Sequence, residues 1–410
     1  MSMANARAYD LSGDDMLAPA PMEQADAGSL ILAAFIFVYA CLSPWLRDLG
    51  PAGIVPPAAA TAALALIYAR RYFQVSLLVL AGLGTVLMAV SWAGMMHRGL
   101  TLLFERDAIA QQGFYTVFLF LLVPACAHIW SQIARGAPGW RGLETIVLLL
   151  AVASMLSLVL FDMRITDGAG YGISQLINPD AIAAIILVRR FVLDEDRSWP
   201  VRFVIAVLLA ATANSMQSVL ALAVLIPLLV LPQFAKGIAA FVVFGLFVVA
   251  IGAQPFVRDI WWWDYNTGVR LLFWQDAWDR LIASGGAGVG FGTETIRPVY
   301  HVGIEEHVVS GLERTGYIHV AAHNAYVDAF YRMGVAGGLL VLGYIVVLSL
   351  KVIGPAREAS AFDCWMVCVL AISMMVNVAL ASVGFVFGTG LMLGWLVYRL
   401  AQEDELDPDG

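Results

Sequence analysis

Charge is scarce in this chain. Asp, Glu, Lys and Arg make up 13 % of its 410 residues and apolar types 61 %, against roughly a quarter and a half in soluble domains. With a mean hydropathy of +0.81, this composition excludes an ordinary soluble globular domain. Lysine is almost missing: of 23 basic residues only Lys236 and Lys351 are not arginine. An arginine bias suits phosphate chemistry, and a compositional bias of the genome explains it equally well. Cysteine is rare too. Cys41, Cys126, Cys364 and Cys368 all lie in apolar runs, with no paired spacing in an exposed segment, so no disulfide framework is expected. The N-terminus lacks a basic start followed by a short apolar run and a small-residue cleavage site, and no cleaved leader is expected. No repeat of about 20 to 50 residues recurs. Gly288, Gly290 and Gly292 follow no strand, so they do not form a nucleotide loop. That run reads either as a flexible turn after a helix or as a functional element.

What the chain does have is apolar runs. A membrane-spanning helix needs about 20 mostly apolar residues, and twelve candidate runs occur, at 28–46, 53–69, 72–94, 114–133, 143–161, 178–193, 200–214, 216–232, 236–253, 334–351, 362–381 and 385–400. The seventh and eighth are short and meet at Asn214 to Ser218, as one hairpin or two partial spans. The expected fold is an all-α polytopic membrane protein with about 12 transmembrane helices. Residues 1–27 and 402–410 are acidic tails, expected to be disordered and cytoplasmic, and they hold much of the net charge of −8. Spans one to nine occupy 28–253, a large polar segment 254–333, and the last three spans 334–401.

Orientation follows from the basic residues, because positive loops stay in the cytoplasm. With the N-terminus inside, thirteen of the 23 Lys and Arg are cytoplasmic. Four, Arg47, Arg98, Arg106 and Arg164, lie in short outer loops; the other six lie in the long segment. Both termini are therefore expected inside, with the segment between the ninth and tenth spans outside, in the periplasm of a Gram-negative cell.

The polar segment is where chemistry is expected. Trp261, Trp262 and Trp263 just past the ninth span read as a water-lipid anchor or as a sugar-stacking platform. Asp264 to Gly268 predicts a turn, and a helix over about 269–283 follows. On it Arg270, Trp274 and Trp278 recur every four residues and share a face. Arg270 there is either a fork of donors for a phosphate or a snorkelling surface residue. A second helix is expected to start near His323 and Asn324, capped by Asn324 and supported by the Asp328 and Arg332 pair. A His at a helix N-terminus is held neutral by the dipole, which suits a general base; the alternative is a solvent-facing or structural His. His319 and His323 are four apart without a third ligand, so no metal is expected.

The run from His323-Asn324 through Tyr326 to Gly334 and Gly337, with Arg270, Trp274, Gly288 and Gly290 upstream, resembles the signature region of the bacterial O-antigen ligase and polymerase family. The segment from Arg164 through Gly172 to Asn178, Pro179 and Asp180 is similar to an earlier part of that family, so the resemblance covers about 160–340. It implies an inner-membrane glycosyltransferase that moves a glycan from undecaprenyl diphosphate to an acceptor hydroxyl, with inversion, without ATP, metal or other cofactor. On that resemblance His323 is the base and Arg270 the group that holds the diphosphate. Arg164, Arg297, Arg314 and Arg332 are further candidates for diphosphate or sugar acids; Asn178, Asn324, Tyr326, Trp274, Gly288 and Gly290 complete the substrate-binding set. One departure stands out: where many relatives carry a Ser-Arg pair, this chain has Ser215-Met216-Gln217.

Polymerases of the family tend to have two sizeable outer loops, each with an Arg followed eleven residues later by Gly. Here the earlier loop, about 162–177, is short, and no such Gly follows Arg164, Arg258, Arg270, Arg280, Arg297 or Arg314. The resemblance thus favours a ligase acting on lipid A-core, with an exopolysaccharide or O-antigen polymerase as the alternative. A polysaccharide transporter or lipid flippase is the reading from another class, weakened by spans nearly free of charge. No nucleic-acid partner is expected.

Overall fold

The computed structural model describes residues 28, 30–36, 38–39, 51–97, 103–135, 138–161, 178–192, 198–212, 216–253, 265–292, 324–354, 359–376 and 383–406. All regular structure among them is helical: α1 (30–36), α2 (Pro51–Tyr68), α3 (Val75–His97), α4 (Leu103–Ala134), α5 (Pro138–Phe161), α6 (Pro179–Val192), α7 (Trp199–Thr212), α8 (Met216–Val230), α9 (Gln233–Ala253), α10 (Tyr265–Ala283), α11 (Ala325–Ile353), α12 (Ala361–Val376) and α13 (Val383–Leu406). One short 3-10 turn, Arg70–Tyr72, joins α2 to α3. The described part of each expected apolar run falls on one of these helices, and α10 is the extra helix described in the polar segment.

Among the described residues, three stretches are long and apolar enough to cross a membrane: Val75–Gly94, Gln112–Ala134 and Ala325–Ile353. Val55–Tyr68, Trp199–Thr212, Gln217–Val230 and others are shorter apolar helices. Large side chains such as Val75, Val79, Val86 and Val90 on α3, or Val201, Val204 and Leu208 on α7, stand exposed in rows. Water would disfavour such contiguous patches, and lipid does not.

α4 is the centre and α3 the periphery: 83 % of the apolar window of α4 is enclosed by protein, against 22 % of that of α3. In a bilayer, helices gain little from burying apolar side chains against each other, so close approach through small residues decides the packing. Gly390 and Gly394 on α13 form such a pair. A Cβ on Gly394 would sit 2.6 Å from the Cys126 Cβ and 2.7 Å from the Ala127 nitrogen of α4. The Trp130 indole donates to the Leu391 carbonyl at 2.7 Å, and its ring meets that of Trp395 edge-on at 5.3 Å. Trp365 of α12 likewise donates to the Ala221 carbonyl of α8.

The helix starts follow local chemistry. Asn178 precedes Pro179 and accepts from the Asp180 amide at 2.9 Å, and Pro at the first helical position loses no hydrogen bond. Ser360 and Asp363 form a reciprocal capping box for α12. Asp363, fully buried, also accepts from Trp395 at 2.8 Å and from Arg399 at 3.0 Å. Glu144 of α5 pairs with Arg202 of α7. Asp363 and Glu144 thus have cationic partners, as a low-dielectric interior favours.

The apolar part of α4, Gln112–Ala134, matches the expected span at 114–133, and the helix extends back to Leu103 because the intervening Phe, Glu, Arg, Ala, Ile and Gln are adequate helix formers outside a bilayer. Other expectations need correction. α10 starts at Tyr265, so Tyr265 to Gly268 is its first turn and not a separate turn; the first four amides of a helix have no internal acceptor, so weak formers cost little there. The tail after 402 is not wholly disordered. α13 continues to Leu406 through Gln402, Glu403 and Glu405, good helix formers, with Pro408 just beyond. Cys126, Cys364 and Cys368 are buried free thiols; Cys41 and the tail 1–27 lie outside the described residues.

Candidate functional site

The polar segment is organised by the start of α11. Asn324 stands in the extended conformation before it, and its Oδ1 accepts from the Tyr326 and Val327 amides at 3.0 and 3.1 Å. The expected cap is present, and so is the expected Asp328 and Arg332 pair, 3.6 Å apart. As expected, the loop helix gives way to the tenth span at Gly334, whose φ of 73° and ψ of 179° break the helical path, so that α11 is two helical segments joined by a sharp kink.

That bend accounts for the glycine run. A regular helix would have the Val335 amide donate to the Tyr331 carbonyl. Here it donates to the Gly286 carbonyl at 2.9 Å, while the Tyr331 and Arg332 carbonyls accept from the Val289 and Gly290 amides at 2.9 and 3.1 Å. The groups released by the bend are satisfied by the run, as buried backbone requires. Gly288 and Gly290 have φ of 82° and 76°. A Cβ on Gly288 would meet the Gly334 nitrogen at 2.4 Å, and one on Gly334 the Ala287 carbonyl oxygen at 2.5 Å. The run is neither a flexible turn nor a phosphate loop; it is a backbone clasp.

The clasp is also fixed to the core. The Phe291 amide donates to Ser91 Oγ of α3 at 2.9 Å, and the Gly292 amide to Gln112 Oε1 of α4 at 2.8 Å. The same Gln112 oxygen accepts from Arg332 Nη1. Arg332 is buried between Gln112, Asp328 and the Tyr331 ring, 5.3 Å from its centre. It is held by protein, and its contacts join α11 to α4.

α10 runs alongside the first turns of α11 in the same sense. Trp274 and Ala277 pack with Val327 and Tyr331; Trp278 lies 5.6 Å from Phe330 between ring centres; the Arg280 guanidinium donates to the Tyr331 hydroxyl at 3.5 Å. Arg280 also pairs with Asp276 at 2.9 Å. Burial pushes the Asp276 carboxyl up against the opposing pull of Arg280. Burial would lower Arg280, but Tyr331 and Asp276 outweigh it and hold the guanidinium above its usual range. Arg270 lies one turn before Trp274 on α10. His323 itself lies outside the described residues, as do Arg164, Arg297, Arg314 and His319.

Two buried donors on this unit, Asn324 Nδ2 and the Trp278 indole nitrogen, have no acceptor among the described residues. An unmet buried donor costs about 1–3 kcal/mol, so each is suited to a ligand oxygen. Tyr326 is almost wholly buried in the main core, as a wall and not as a reactive group. Asn178 joins a different pair of helices, with its amide against Gly388 of α13. Beside it, Asp180 is buried and faces Ser218 of α8. Trp274, Gly288, Gly290, Asn324, Tyr326 and Arg332 are thus brought together on α10, the clasp and α11.

Sequence reasoning missed Ser91 and Gln112. The signal for Gln112 was an amide pair, Gln111-Gln112, at the edge of an apolar run; which side chain it would meet has no local signature.

Fold and site define an all-helical chain consistent with a helical membrane protein, with a polar unit built from one extra helix, a glycine clasp and a bent helix. In comparison with known proteins, no family model matches the chain, and neither a curated protein nor a solved structure matches it.

Proposed function

We propose that the chain is a glycosyltransferase of the bacterial inner membrane, of the O-antigen ligase type, which moves a glycan from undecaprenyl diphosphate to an acceptor hydroxyl on lipid A-core at the periplasmic face. In this reading α1 to α9 and α11 to α13 are the twelve spans, both termini are cytoplasmic, and α10 with the clasp faces the periplasm. The observation that carries the reading is the parallel packing of α10 on α11. In this reading the helix turn of Arg270 lies beside the helix start that follows His323, one residue type for a diphosphate and one for a proton. The two unmet donors, Asn324 Nδ2 and the Trp278 indole, support it, because a sugar or diphosphate offers only oxygen acceptors and hydroxyls.

The chemistry balances without a cofactor. The acceptor oxygen attacks the anomeric carbon from the side opposite the diphosphate, and its proton passes to the neutral His323 imidazole. The bond from the anomeric carbon to the phosphate oxygen breaks, and its electron pair leaves on the lipid diphosphate. Arg270 stabilises that growing charge at the membrane face, and inversion follows from the single displacement. Arg164, Arg297 and Arg314 remain candidates for the diphosphate or sugar acids. For Arg332 the reading is now structural, since its guanidinium already serves Gln112 and Asp328.

The test is transfer by purified protein given a defined lipid-linked glycan, with lipid A-core or a second donor molecule as acceptor. His323→Ala is expected to slow turnover about a hundred- to ten-thousand-fold with donor binding kept, and Arg270→Ala to weaken both. A His323 variant turning over at the wild-type rate removes the base assignment. Polymer formed without lipid A-core identifies the polymerase alternative. Lipid movement across vesicles that ignores His323→Ala replaces transfer with transport.

A further inference from the structure

On the side of the bundle, where α3 meets α11, a laterally open cleft of about 590 Å³ runs along the two helices. Its walls are apolar, with Val75, Val79 and Leu80 on one side and Leu339, Leu340 and Val347 on the other. The Tyr344 hydroxyl donates to Gln74 Oε1 at 3.2 Å and joins the two walls near one end. That end is basic. Lys351, the one cation lining the cleft, lies there exposed, and the exposed Arg70 and Arg71 precede Gln74 in the chain. From Leu339 to Lys351 the helix rises about 18 Å. Midway, a Cβ on Gly343 would touch nothing within 4 Å, so the space in front of it is open.

We infer that this cleft binds an anionic phospholipid, one acyl chain lying between α3 and α11 and the phosphate against Lys351. An apolar cleft open to the side takes hydrocarbon from the bilayer. A lysine at its mouth, with its stem on the wall and its head at the interface, selects a negative headgroup over a zwitterionic one. The inference rests on the chain lying in a membrane and not on the transfer reaction, so each stands or falls separately.

The test is native mass spectrometry of the full chain in mild detergent, equilibrated with equal amounts of phosphatidylglycerol and phosphatidylcholine of the same acyl chains. The wild type is expected to retain phosphatidylglycerol over phosphatidylcholine by about fivefold, the factor for one cation at an anionic surface. Lys351→Ala, or Lys351→Gln should the alanine variant misfold, is expected to erase that preference. Gly343→Phe, which points a ring into open space, is expected to lower retention of both lipids several-fold. Arg141→Ala on α5, which packs on α4, α6 and α7, is the control and is expected to keep the preference. Equal retention by the wild type, unchanged retention in Gly343→Phe, or an equal loss in Arg141→Ala would each overturn the inference, leaving only adventitious annular lipid.

Discussion

The joint between α4 and α13 and the joint between α10 and α11 bring helices together with opposite materials. The first is made of absence: Gly390 and Gly394 remove side chains so that α13 lies against Cys126 and Ala127, and the Trp130 indole beside them is satisfied by the Leu391 carbonyl. The second is made of exchanged hydrogen bonds around Gly334, a buried Arg332 and two donors without an acceptor among the described residues. A joint of the first kind can only hold. One of the second kind can hold and also present polar groups, and it is where a lipid-linked, charged substrate would be met. The largest effect should follow from breaking the first. Gly394→Val drives a branched side chain into the α4 backbone and is expected to cost about 3 kcal/mol or more, read as loss of folded, monodisperse protein in detergent.

Breaking the second joint should separate stability from activity. Gly285 and Gly288 both have positive φ, but a Cβ on Gly285 meets nothing within 4 Å while one on Gly288 runs into the Gly334 and Arg332 backbone. Gly288→Ala is therefore expected to open the clasp at about 2–3 kcal/mol, and Gly285→Ala to cost about 1 kcal/mol from the backbone conformation alone. Hydrogen exchange at the Val289, Gly290 and Val335 amides reads the opening. In Gly288→Ala these amides should exchange faster while those of α4 and α13 keep their protection. If α4 loses protection equally, the two joints are one cooperative unit and the comparison fails.

The two joints were not equally legible in the sequence. Helix positions were, because a run of about twenty apolar residues has few alternatives, and each such run falls on a helix. The Asn324 cap and the Asp328 and Arg332 pair were legible because both depend on neighbours within one turn. The α4 to α13 joint had a signal that went unused, the four-residue spacing of Gly390 and Gly394 in an apolar run. The clasp had none. Glycines at Gly288 and Gly290 announce unusual backbone, yet what they grip, the carbonyls of Tyr331 and Arg332, lies some forty residues on, and no local rule pairs them. The contact of Arg332 with α4 had no local signal for the same reason. An arginine in a polar segment reads as a ligand group until Gln112, 220 residues away, is seen to hold it.

That contact sets the smallest and sharpest test. Gln112 Oε1 serves two donors, the Gly292 amide and the Arg332 guanidinium, so it ties the clasp to α4 and neutralises none of the charge. Gln112→Leu is expected to cost about 1–2 kcal/mol, the price of leaving buried donors without an acceptor. Arg332→Met keeps the apolar stem and removes the charge, but leaves Asp328 buried beside it. If Gln112 and Arg332 act through each other, the double variant should cost less than the two single changes added, by about 1 kcal/mol in a double-mutant cycle. Strict additivity would mean that Arg332 draws its support from Asp328 and the Tyr331 ring instead. The arginine would then belong to α11 alone and be free to turn toward a phosphate, which returns it to the candidates for the donor lipid.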